Sequence, residues 1–184
     1  MSSETEKLLK SHQQEFKNIV PYDFATEGMW IDLSIANAEL ESINPDDTPG
    51  WERYIWGEMA KQGKKLAVGG YTEERSRYLR SSAYFANGEP RIIHMGIDIW
   101  VPAGTPMAAP LDGTIHSFQN NDKFLDYGPT IILTHQLDNM KFHTLYGHQS
   151  VESLADKFVG KVIKAGEVFS HLGIAEVNGG WPDR

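Results

Sequence analysis

His94 and Asp98 stand four residues apart in the run His-Met-Gly-Ile-Asp, and the chemistry their side chains offer is metal ligation. Imidazole nitrogen and carboxylate oxygen are both ordinary zinc ligands, held at roughly 2.0–2.2 Å from the ion. Geometry limits how they can share one. On a helix, residues four apart lie on one face. Gly96 sits inside this run, however, and Pro102 and Gly104 follow it, which makes a helix poor. On a straight strand the two side chains point the same way with Cα atoms about 13 Å apart, too far for a single zinc. The pair can bind one metal only if the chain folds back near Gly96, and glycine permits such a bend. The alternative is a satisfied polar pair beside a turn, which the spacing by itself favours.

His148 closes a run in which Phe142, Thr144, Tyr146 and His148 alternate onto one side of a predicted strand. At a strand end beside Gly147 it suits a general base or orienting group near a metal-bound water. A surface hairpin histidine is the alternative. His135 shares a face with Ile131 and Leu133 and reads as structural, or at most as a partner of a ligand. His143 falls on the opposite side from His148 and reads as a surface residue; His12, His116 and His171 have no context that raises them. Arg75, Arg77 and Arg80, with Tyr71 and Tyr78, could grip a carboxylate, although a solvated helix face beside a core is the more usual role. Trp100 and Trp181 suit core or rim packing better than cleft walls.

The elements that must position these residues have two textures. Residues 1–90 are mixed. Residues 4–18 read as a helix, with Leu8, Leu9, Phe16 and Val20 as apolar positions. Asp47-Thr48-Pro49 reads as a helix start, with Asp or Thr bonding free amides and Pro preset in φ. The helix is predicted over 51–64, with Tyr54, Ile55 and Met59 as its buried stripe. Residues 65–68 followed by Gly69-Gly70 predict a strand and a turn, and 73–79 a short helix.

From residue 92 the texture is β, with strands predicted at 97–101, 114–118, 130–135, 141–146 and 168–172. Turn signals separate them at Pro102-Ala-Gly104, Asp112-Gly113, Tyr127-Gly128-Pro129, Leu137-Asp138-Asn139 and Lys164-Ala-Gly166. The expected fold class is mainly β, α+β overall. An antiparallel β domain over 91–184 follows a mixed, partly helical extension over 1–90.

Composition narrows the classes. The 184 residues suit one domain with an elaboration, or one and a half small domains. At 40% hydrophobic residues the chain can bury a real core, which excludes global disorder. A net charge of −8 argues against nucleic acid and against docking on an anionic membrane by charge. With no cysteine, disulfides and thiolate zinc sites are excluded, so His, Asp, Glu or water must hold any metal. The first residues are polar, with no apolar signal region behind them, and no apolar run is long enough to span a bilayer. The expected location is the cytoplasm, or outside it if a signal has been removed.

Taken in order, several pieces resemble one family. They are His94-x-x-x-Asp98, Pro102-Ala-Gly-Thr-Pro106-Met-Ala-Ala, Asp112-Gly-Thr, Ile132-x-x-His135, Leu145-Tyr-Gly-His148 and Gly160-Lys-Val-Ile-Lys-Ala-Gly166. Together they look like the lysostaphin-type zinc endopeptidases, also called LytM-type peptidoglycan endopeptidases. The likeness covers about residues 91–184 and leaves 1–90 without a counterpart.

The resemblance implies an antiparallel β framework with a groove along it. It implies one zinc held by His94, Asp98 and a histidine of a later His-x-His motif. It makes His148 the catalytic histidine, which orients or deprotonates the zinc-bound water as that water attacks a peptide carbonyl. The implied substrates are peptides of the peptidoglycan type, cross-bridges and stems, often with glycine at the cut bond.

Three departures accompany it. The His-x-His should follow a segment like Asn178-Gly-Gly-Trp-Pro182, whereas the sequence reads to Arg184; Gln149 stands where leucine is common; no export signal is visible. Two protein ligands make a weak, open zinc site, since catalytic zinc normally has three. The expectation is a zinc-dependent peptide-bond hydrolase whose natural chain continues past Arg184 with the missing histidines. The alternatives are a catalytically silent binding or regulatory module on a degenerate peptidase fold, and an accessory domain fused to an enzyme. The first is preferred because both the His94–Asp98 motif and the Tyr-Gly-His strand are intact.

Overall fold

A computed structural model describes residues 4–81, 84–86 and 89–182. The chain divides into two compact units, one of Met1–Pro21 with Ala103–Gly179 and the other of Tyr22–Pro102 with Gly180–Arg184. Helix α1 (Glu4–Ser11) opens the chain and is shorter than the predicted 4–18. It ends because local bonds compete with the helix: the Ser11 hydroxyl donates to the Leu8 carbonyl, and the His12 ring turns to Glu15.

The unit of Tyr22–Pro102 starts with α2 (Phe24–Glu27) and β1 (Gly28–Ile31). The chain then crosses through α3 (Thr48–Lys61) to β2 (Leu66–Gly69), which pairs with β1 in parallel. The periodicity of α3 explains its place: Trp51, Ile55 and Met59 recur every four residues and are buried. They pack with Met29, Ile31, Leu40, Ala67 and Trp100 into one core, with Tyr54 partly buried against it. Each large side chain so buried contributes about 1.5–3 kcal/mol. Pro49 stands in the first turn as predicted, but the Asp47 side chain makes no cap; it reaches Arg53 at 3.5 Å instead.

The predicted helix over 73–79 is split. Glu73 and Glu74 form β3 (Glu73–Glu74), and only Ser76 onward is helical, as α4 (Ser76–Arg80). Then come β4 (Phe85–Ala86), β5 (Glu89–Pro90), β6 (Ile93–His94) and β7 (Asp98–Trp100). Two antiparallel ladders split that helix. Gly69 lies opposite Asp98 between β2 and β7, and Glu73 lies opposite His94 between β3 and β6. The backbone N–H groups of Thr72 and Arg75 donate to His94 and Ile92 carbonyls, so the 69–75 backbone is bonded outward rather than along a helix.

The unit of Ala103–Gly179 is antiparallel β. Its strands are β8 (Pro106–Ala108), β9 (Gly113–Asn121), β10 (Gly128–Leu137), β11 (Met140–Tyr146), β12 (Val162–Ile163) and β13 (Val168–His171). One sheet runs β11-β10-β9-β12, and β13 pairs with β8. Ile115, Ile131, Leu133, Ile163 and Phe169 are buried. The ladder slips at Ile132/Leu133, which face Ser117 and Ile115, so His116 sits in a bulge. The whole is mainly β, α+β, as expected. No helix among the described residues is long and apolar enough to cross a membrane.

Candidate active site

The structure brings His94 and Asp98 together across a bend at Gly96. His94 ends β6 and Asp98 begins β7; because these strands join different ladders, they are not collinear. His94 Nε2 lies 3.4 Å from Asp98 Oδ1, and both side chains are largely buried. Two ligands at zinc distances on a tetrahedron stand about 3.3–3.6 Å apart. The pair is therefore spaced as two corners of such a site, and the residues fit a divalent metal. A Cβ at Gly96 would lie 3.3 Å from His94 Nε2, so glycine leaves room for that nitrogen. Among the described residues, no group of three or more His, Asp or Glu side chains could hold a metal.

Behind the pair lies a cluster that sequence reasoning missed. Arg75 Nη2 is 2.9 Å from Asp98 Oδ2, and Arg75 Nε is 2.6 Å from Glu73 Oε2. Both are charge contacts off the hydrogen-bond axis. The aligned hydrogen bond goes elsewhere, from Arg75 Nη2 to His94 Nδ1 at 3.0 Å. Burial pushes the Glu73 carboxyl above its ordinary range, against the opposing pull of Arg75. A Cβ at Gly69 would come within 2.9 Å of both Arg75 Nη2 and the Trp100 ring, so that glycine makes room for the guanidinium. The Gly69-Gly70 pair, which the sequence marks as a turn, is the available signal for this close approach.

The other two arginines of this stretch pack against the body of their unit rather than forming a solvated face. Arg77 is buried, its guanidinium 4.6 Å from the Trp181 ring centre and 5.5 Å from that of Trp51. Arg80 donates to the carbonyls of Leu40 and Glu41. Trp100 and Trp181 are buried packing residues, as their size and composition context suggested.

His148 belongs to the unit of Ala103–Gly179 and is buried there, not exposed on a hairpin. Its backbone is left-handed, with φ 60°, and is clamped at both ends: its N–H donates to Tyr127 O and its carbonyl accepts from Gly173 N. The ring Nδ1 is 2.7 Å from the Asn178 carbonyl. A carbonyl only accepts, so Nδ1 carries a proton in this contact. Nearby Tyr146 is pushed up to about 12 by burial and stays neutral.

His135 is structural. It is buried, with Nδ1 donating to Asp112 O and Nε2 paired with the Thr144 hydroxyl. His143 is exposed and stacks edge-on with His116.

Residues 92–180 match the model of Peptidase family M23, a span that includes His94, Asp98 and His148. No curated protein and no solved structure gives a match. Members of this family are typically metallopeptidases, in keeping with the ligand types at the bend. Over residues 92–180, about half of its length, the chain is similar to Peptidase family M23, the LytM or lysostaphin type.

Proposed function

We propose that the protein is a zinc-dependent endopeptidase acting on peptides of the peptidoglycan type, with His94 and Asp98 as metal ligands and His148 as the catalytic histidine. The observation that carries this reading is the 3.4 Å separation of His94 Nε2 and Asp98 Oδ1 across the Gly96 bend. Zinc bound there supplies Lewis-acid polarisation of the scissile carbonyl. In this reading His148, whose Nδ1 donates to Asn178 O within its own unit, would act as the general base through Nε2. The same nitrogen would then return the proton it takes up to the departing amine. The described residues supply two protein ligands, so the remaining positions fall to water or to a donor outside them.

The test is zinc content and hydrolysis measured on the same purified chain. Stoichiometric zinc, and cleavage of peptidoglycan stem peptides that a chelator stops and Zn²⁺ restores, support the reading. A chain that takes up no zinc and releases no amine contradicts it. One observation favours a second reading, a metal-free binding module: Asp98 is already paired with the buried cation of Arg75. Peptide binding without hydrolysis or metal is the result that selects it.

A further inference from the structure

Arg75 is buried and approaches the outer atoms of both proposed ligands, Oδ2 of Asp98 and Nδ1 of His94. A guanidinium has no acceptor, so in this contact His94 Nδ1 must accept. The ring proton of the neutral imidazole then resides on Nε2, which faces Asp98 Oδ1. In that tautomer Nε2 has no lone pair for a metal. A metal on Nε2 needs the proton on Nδ1, and Nδ1–H would then meet the Arg75 N–H donor to donor. Another acceptor is already in place, the Gly70 carbonyl, 3.4 Å from His94 Nδ1. Arg75 also brings a full positive charge to the carboxylate that the metal would use, in a buried setting where charges are weakly screened.

We propose that Arg75 is a built-in counter-cation of the His94–Asp98 pair, which holds the site closed without metal and must release His94 before metal can bind. This deepens the metal reading above and rests on it. Arg75 is a positioning residue, because it acts through the tautomer and charge of the two ligands. Metal entry would exchange one cation for another: His94 would release its Nε2 proton to solvent and take one up on Nδ1, which would donate to Gly70 O, and Arg75 would fall back on Glu73, already 2.6 Å from its Nε.

The experiment is a Zn²⁺ titration by calorimetry on the full chain, with nitrogen-detected NMR of the His94 ring. Two variants are compared with the wild type: Arg75→Met, and Arg75→Met combined with Glu73→Gln. The double variant removes one positive and one negative charge together, which guards against a single variant that fails to fold. Zn²⁺ is expected to bind the double variant at least tenfold more tightly. Without metal its His94 proton is expected on Nδ1, whereas in the wild type it is on Nε2 and moves to Nδ1 with Zn²⁺.

Equal or weaker zinc affinity in the double variant, with wild-type binding intact, overturns the inference and leaves the metal reading standing. So does a His94 proton already on Nδ1 in the metal-free wild type. Absence of zinc binding in both wild type and variant brings down the metal reading and this inference with it.

Discussion

His148 donates its Nδ1 proton to the Asn178 carbonyl at 2.7 Å, and the backbone of Gly128, the first residue of β10, lies close against Asn178. A Cβ at Gly128 would lie 2.6 Å from the Asn178 carbonyl carbon, and Gly128 has φ 58°. Gly128→Ala is therefore expected to push the Asn178 backbone away and free the His148 ring. The turnover rate should fall about 10–100-fold with zinc content unchanged. Stability should drop on the order of 1–3 kcal/mol from the left-handed backbone. Denaturant unfolding and steady-state kinetics on one preparation check both; an unchanged turnover rate would detach Asn178 from the orientation of His148.

His94→Ala and Asp98→Ala are each expected to reduce zinc from stoichiometric to trace, measured by elemental analysis after gel filtration. Stoichiometric metal in either variant would remove that residue from the ligand set. Asp98→Ala also leaves Arg75 with Glu73 as its remaining ion-pair partner, so it should be the less stable of the two.

His148→Ala is expected to keep its zinc and to lose about 10²–10⁴-fold in hydrolysis, the usual weight of a general base. Its backbone makes a second, independent prediction. At φ 60°, alanine carries a left-handed penalty that glycine escapes, so His148→Gly should be more stable than His148→Ala by about 1–2 kcal/mol. Equal midpoints in urea would contradict the backbone assignment; retained turnover would contradict the catalytic one.

Arg77 is packed between Trp51 and Trp181, and its Nε donates to Pro45 O at 2.6 Å. Arg77→Ala removes two cation–π contacts and a charged hydrogen bond, and should cost about 3 kcal/mol. Arg77→Lys should recover little of this, because an ammonium lacks the planar face that stacks on indole. Chemical denaturation followed by tryptophan fluorescence reads both; a loss in Arg77→Ala below about 1 kcal/mol would show that this side chain contributes little to stability.

His12 is held above its ordinary value first by its hydrogen bond to Glu15 and next by that to Asp138 in the turn between β10 and β11. Because the folded value is raised, the stabilisation is full below the unfolded value of 6.5 and is lost as pH rises through the folded one. Asp138→Asn should therefore weaken the protein more at about pH 5 than at about pH 9, and should lower the His12 titration midpoint seen by NMR. An unchanged midpoint would mean that Asp138 does not hold His12.

What could be read directly from the residues was whatever depends on neighbours along the chain. The alternation of Ile131, Leu133 and His135 marks a half-buried strand wherever that strand finally packs. Pro49 and the spacing of Trp51, Ile55 and Met59 likewise mark α3. The need for a bend between His94 and Asp98 followed from strand length alone, and the bend at Gly96 brings the two to 3.4 Å. The expected helix over 73–79 forms only from Ser76, because at its start local propensity is outweighed by pairing across twenty residues, with Glu73 opposite His94.

That pairing decided what the sequence order concealed. Residues 98–100 looked like the first strand of the later β domain, yet they pair with β2 as part of the sheet that α3 covers. The same ladders bring Arg75 from a stretch that resembled a surface helix to the back of His94 and Asp98. Ligand types and their spacing are properties of a short peptide. Which cation balances a buried carboxylate, and which way an imidazole carries its proton, depend on groups that meet only when distant strands pair.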